Sequence, residues 1–119
     1  TDAYRIGIRE GQGRVSLTSP QGLGIYRGES LWKKSAANVP VTVTLSGTDL
    51  AVNGTASKGS LRVRPLGKDG VVKITDGYTY RGDMELMKSP GRWGITVVNV
   101  LPVEQYLYGV VGKKCRIVE

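Results

Sequence analysis

Asp83 and Glu85 stand two positions apart in the segment Tyr78-Thr79-Tyr80-Arg81-Gly82-Asp83-Met84-Glu85-Leu86-Met87. On a β-strand this spacing puts both carboxyls on one face, and a pair of carboxyl groups is the equipment for acid–base cleavage of a glycosidic bond. That chemistry needs one acid on either side of the scissile bond. With both on one strand and no facing carboxylate evident, a solvated strand face is the simpler account. The same segment carries Tyr78, Tyr80 and Arg81, a cluster able to stack on sugars or bases or to serve as the hydrophobic face of a sheet. Asn99 lies inside the apolar run 95–101, where an amide must find partners or cost about 1–3 kcal/mol. A structural hydrogen-bonding role is preferred for it over catalysis. Glu104 follows Pro102, at the start of a short expected helix, and complementing the helix dipole there is preferred over a chemical role.

Whole classes of chemistry are excluded by composition. The chain has no histidine and a single cysteine, Cys115. Serine or cysteine triads built on histidine are therefore impossible, a zinc site of the usual nitrogen and sulfur type has no ligand set, and no internal disulfide can form. No metal or cofactor is expected. Glycine patterns near the N-terminus (Gly7, Gly11, Gly13) carry no following helix or GK[ST] string, so they read as turns and not as a nucleotide loop. A net charge of +7 and a pI near 9.8 favour polyanionic partners such as nucleic acid, anionic membrane surfaces or cell-wall polymers, although the cations are scattered. No apolar stretch reaches the roughly 20 residues of a membrane helix. An opening Thr1-Asp2 without methionine fits a processed or excised piece whose targeting segment has been removed.

The elements that must position these residues are short strands. Seventeen glycines, no phenylalanine and 39% hydrophobic residues over 119 positions point to many turns and one modest core. Alternation over 4–9 and return over 15–18, joined by Glu10-Gly11-Gln12-Gly13, predicts a hairpin. Further strands are expected at 23–26, 39–45, 50–52, 61–66, 71–74, 78–87 and 95–101, with Arg62 and Arg64 on the face opposite Leu61 and Val63. Asn53-Gly54 marks a tight turn, and Gly82 a bulge or close backbone approach. Residues 28–38 read as irregular, with Leu31 and Trp32 pinning the loop to the core. Run 95–101 has the β-branched density of a strand buried on both faces, and Leu101-Pro102 should end it. The expectation is one domain over 1–119: mostly β, a single antiparallel barrel-like or sandwich domain with one short helix near the C-terminus.

Tyr80-Arg81-Gly82 and the string Val98-Asn99-Val100-Leu101-Pro102-Val103-Glu104-Gln105-Tyr106-Leu107-Tyr108-Gly109-Val110-Val111 resemble the stage II sporulation protein D family, which includes the amidase enhancer of bacterial autolysins. Its signature reads YxG…VVNxLPLEdYLyGVV. The resemblance spans residues 80–111, about a quarter of the chain, and the YRIGI opening is similar to the family's own. It implies an extracytoplasmic setting and peptidoglycan glycan strands as partner, with an amidase or other wall hydrolase as a second. Enzymes of the family are lytic transglycosylases that cleave peptide-stripped strands, one glutamate acting as general acid and then base. It further implies Tyr80, Arg81, Gly82, Asn99, Glu104, Tyr106 and Tyr108 as motif or glycan-binding residues, no nucleic acid, and membrane contact only through a segment that this chain does not contain.

One departure matters. The family glutamate follows GVV in a string like GVVPxEMPxSW, whereas Lys114 holds that position here and Glu119 comes too late to replace it. No catalytic residue is assigned, and the chain is expected to be inactive. Codons for Gly112-Lys113-Lys114-Cys115-Arg116-Ile117-Val118 can be chosen so that one added guanine restores Gly-Lys-Glu-Met-Pro-Asn-Ser, so a frameshifted or shortened reading frame of a longer enzyme is expected. Two other functions stay open: a non-catalytic wall-binding module that stimulates an amidase, and a basic β-barrel that binds nucleic acid.

Overall fold

The computed structural model describes residues 3–67, 69–74 and 77–102. Among the described residues twelve strands form two six-stranded antiparallel sheets. The first sheet runs, in spatial order, β1 (Ala3–Gln12), β12 (Ile95–Pro102), β11 (Asp83–Lys88), β8 (Leu61–Pro65), β3 (Leu23–Arg27) and β4 (Ser30–Ser35). The second runs β10 (Thr79–Arg81), β9 (Val71–Ile74), β2 (Arg14–Thr18), β5 (Val41–Ser46), β6 (Asp49–Val52) and β7 (Thr55–Ser57). Alternation does the packing. Leu23, Ile25, Leu61, Val63, Met84, Leu86, Ile95 and Val97 from one sheet meet Val15, Leu17, Val41, Val43, Leu50, Val52, Val72 and Ile74 from the other in one core. The domain is thus a β-sandwich.

Strand β12 is the second strand of the first sheet, next to its edge. It lies between β1 and β11, with Tyr4 opposite Leu101, Ile6 opposite Asn99, and Met84 also opposite Asn99. Every residue from Ile95 to Leu101 is buried, as its β-branched sequence predicts. The Asn53-Gly54 turn joins β6 to β7 with φ of 49° and 90°, the doubly positive geometry that this dipeptide favours.

Three expectations need correction. The segments 4–9 and 15–18 do not pair as a hairpin: β1 pairs with β12, and β2 with β5 and β9 in the opposite sheet. The glycine-rich corner between them, with Gly11 at φ 65°, carries the chain from one layer to the other. Likewise 78–87 is not one strand. It breaks at Gly82 (φ 85°), leaving β10 in the second sheet and β11 in the first. A methyl group at Gly82 would collide with the Val100 carbonyl oxygen, which is the close backbone approach that a glycine permits. Finally, 28–38 contains a strand, β4. Trp32 packs partly on the core, but Leu31 is exposed. The expected C-terminal helix lies outside the described residues.

Candidate functional site

The alternation that buries Leu61, Val63 and Pro65 of β8 turns Arg62 and Arg64 outward, and on β11 burial of Met84 and Leu86 turns out Asp83 and Glu85. Register then brings these rows together. Arg62 lies opposite Glu85 on one side and Tyr26 on the other. Arg62 Nη1 and Arg64 Nε reach the same Asp83 oxygen, Oδ2, at 3.4 and 3.2 Å, while Arg5 from the edge strand pairs with Glu85. The Arg5–Glu85 contact is an ion pair without hydrogen-bond geometry at Glu85 Oε1. Both carboxylates sit low, 17% and 20% exposed, under arginines that are 33% to 49% exposed. The outer surface of the sheet therefore offers guanidinium groups to solvent, with their counter-charges beneath.

Arg64 also lies over the Tyr26 ring, 4.9 Å from its centroid, a cation–π contact that orients the guanidinium plane. Beside this pair is an open groove of about 520 Å³, bounded by Tyr26, Glu29, Ser60, Arg62, Arg64 and Glu85. Planar guanidinium forks match carboxylate and phosphate geometry. Tyr26 adds an aromatic wall. Chemically this set of groups is suited to an anionic, partly apolar ligand, whereas Asp83 and Glu85 pair with arginines and do not face each other across a cleft.

The residues singled out by sequence fall into two groups. Asn99 is 1% exposed, and its side-chain amide donates to the Arg81 carbonyl at 2.8 Å and the Asp83 carbonyl at 3.0 Å. It thereby clamps the backbone on both sides of Gly82. The two separated pieces of the motif, Tyr80-Arg81-Gly82 and the Asn99 strand, meet in one architectural joint that holds the crossing between sheets. Tyr80 packs partly on the core, Arg81 is exposed, and Tyr78 is 55% exposed with Arg9 5.8 Å from its ring centroid; these three do not form the groove. Glu104, Tyr106, Tyr108 and Lys114 lie outside the described residues.

Sequence reading missed the joint role of Tyr26, Arg62 and Arg64. The outward placement of both arginines was legible from alternation, but their company depends on pairing β3, β8 and β11, strands far apart in the chain. Among the described residues no group of three or more acidic or cysteine side chains is arranged to hold a metal ion. Comparisons with family profiles, curated proteins and solved structures find no match to this chain.

Proposed function

We propose that this chain is a peptidoglycan-acting domain of the stage II sporulation protein D type, which grips a glycan strand on its basic sheet face and does not cleave it. The observation that carries the reading is the groove in which Arg62 and Arg64 stand beside Tyr26. A glycan strand stripped of peptide offers lactyl carboxylates along a chain of pyranose rings, and guanidinium forks with an aromatic wall suit both parts. The VNVLPVEQYLYGVV string supports the family, an extracytoplasmic setting and an associated wall hydrolase. Lys114 in place of the family glutamate removes the proton donor that cleavage requires.

Retention on purified sacculi tests this. The wild-type chain is expected to bind, and Arg62→Glu with Arg64→Glu to lower retention at least tenfold, since hydrogen bonds to charged groups contribute about 1.5–3 kcal/mol each. Equal retention of the double variant would refute the groove. Preferential binding to single-stranded nucleic acid with a steep salt dependence would move the function to the nucleic-acid class. Release of anhydro-muramyl products would overturn the non-cleaving assignment.

A further inference from the structure

The most exposed large apolar side chain among the described residues is Trp93, at 69%. It sits in the loop between β11 and β12, and that loop is firmly tied. The Ser89 amide donates to the Gly94 carbonyl at 2.8 Å, closing the loop at its base. The buried Ser89 hydroxyl lies 2.7 Å from the Thr96 hydroxyl and accepts from the Gly11 amide at 3.3 Å. Gly94 packs backbone to backbone on Gly11. Arg92 lies along Gly11 and pairs with Glu10 at 3.4 Å.

Gly13 shows what the loop is held for. It is not among the glycines with positive φ, so its backbone conformation does not require glycine. Its missing side chain has another use: a Cβ there would lie 2.6 Å from Trp93 Cη2. The far edge of the indole rests in the space that Gly13 leaves empty, while most of the ring surface remains in solvent. Contact of one indole edge with Gly13 restricts the rotamers open to the side chain, and ordering of this kind before a ligand arrives lowers the cost of binding.

Trp93 does not line the groove, but its loop shares one end of the sandwich with two of the loops that do. Neighbouring strands are antiparallel, so β3 ends, β8 begins, β11 ends and β12 begins at the same end of the first sheet. Glu29, Ser60 and Trp93 therefore belong to loops at one end of the sandwich. Three to four strand spacings, on the order of 14–20 Å, separate the Gly13 seat of the indole, at the end of β1, from the groove between β8 and β3.

We propose that Trp93 is a stacking platform for a pyranose ring, a second contact on the polymer held by Arg62 and Arg64. The electron-rich face of the indole meets the axial C–H groups of the sugar, which carry partial positive charge. This rests on the glycan-binding reading and adds to it a residue and a direction for the strand. A glycan lies from the arginine groove across the loop ends to Trp93, and one of its rings stacks on the indole away from the arginines.

Tryptophan emission tests the assignment, because the chain holds only Trp32 and Trp93. Addition of N-acetylglucosamine hexamer or cellohexaose shifts the emission of the wild-type chain, and Trp93→Phe, which keeps Trp32, abolishes that shift. Trp93→Ala weakens retention on sacculi about tenfold, as loss of a stacking aromatic does. Gly13→Ala, which displaces the indole and leaves φ allowed, gives a smaller loss in the same direction. A shift that persists in Trp93→Phe overturns the proposal, as does a wild-type chain that answers neither oligomer. If the wild type and Trp93→Ala are retained equally on sacculi, the platform is refuted while wall binding stands. If the oligomers shift Trp93 but sacculi do not retain the chain, the platform stands and the wall reading falls.

Discussion

Replacing Gly82 by alanine isolates the joint on which the two sheets depend. Two costs add at this position. The residue has φ 85°, and an L-residue in left-handed backbone costs roughly 1–2 kcal/mol. The new methyl would also drive into the Val100 carbonyl oxygen, with Leu101 Cδ2 at 3.1 Å. That carbonyl belongs to β12, which is held between β1 and β11 and cannot retreat without breaking a ladder. Overpacking of this kind adds about 1–3 kcal/mol, for a total near 2–5 kcal/mol. Gly54→Ala is the matched control: its φ is 90° but nothing lies within 4 Å of the added Cβ, so only the backbone term of about 1–2 kcal/mol remains. In urea unfolding, with a slope of about 1–3 kcal/mol per molar, the Gly82 variant should lose on the order of 1–3 M in midpoint and clearly more than the Gly54 variant. Equal shifts would refute the close approach as the reason for glycine at 82.

Asn99→Ala removes both amide bonds to the Arg81 and Asp83 carbonyls and should cost about 1–3 kcal/mol; Asn99→Asp, placing a carboxylate against two carbonyl oxygens in a site 1% exposed, should cost more. Thermal unfolding that ranks the aspartate variant level with wild type would sink this account. Asp83→Asn removes the anion shared by Arg62 and Arg64. Because these arginines are partly exposed, stability should fall by about 1 kcal/mol or less, while retention on an anionic glycan should rise as the guanidinium groups are released. Weaker retention in the variant would show that Asp83 orients the arginines more than it neutralises them.

The strands were legible wherever alternation was strict. Leu61-Arg62-Val63-Arg64 and Val41-Thr42-Val43 declare their faces in two-residue steps, and the burial pattern follows them. The Asn53-Gly54 turn and the doubly buried 95–101 run were equally plain, because their local chemistry admits few conformations. Partnership was less legible. The Glu10–Gly13 segment has every mark of a hairpin turn, yet it serves as a corner, since a turn signal specifies a change of direction and not which strand is met afterwards. Gly82 announced a special backbone position, but that it ends one sheet and begins the other depends on Val100, a residue distant in sequence. The groove was hidden for the same reason: Tyr26, Arg62 and Glu85 become neighbours only through the register of three strands. Trp93 gave no periodic signal at all, and its role emerges from the empty space above Gly13.

The pairing of β1 with β12, Ala3 opposite Pro102, sets the order in which the molecule can close. Among the described residues β1 is an edge strand with β12 as its ladder partner, so the first of the described strands waits for the last. Contacts of such long sequence separation pay loop-closure entropy before they return any energy, and sandwiches dominated by them fold in milliseconds to seconds. Until β12 docks, β11 presents an open edge carrying Met84 and Leu86, a template for pairing with another chain. Strand β12 is therefore the clasp of the first sheet: until the segment 95–102 has emerged, β1 lacks its ladder partner and β11 keeps an open edge exposed to association.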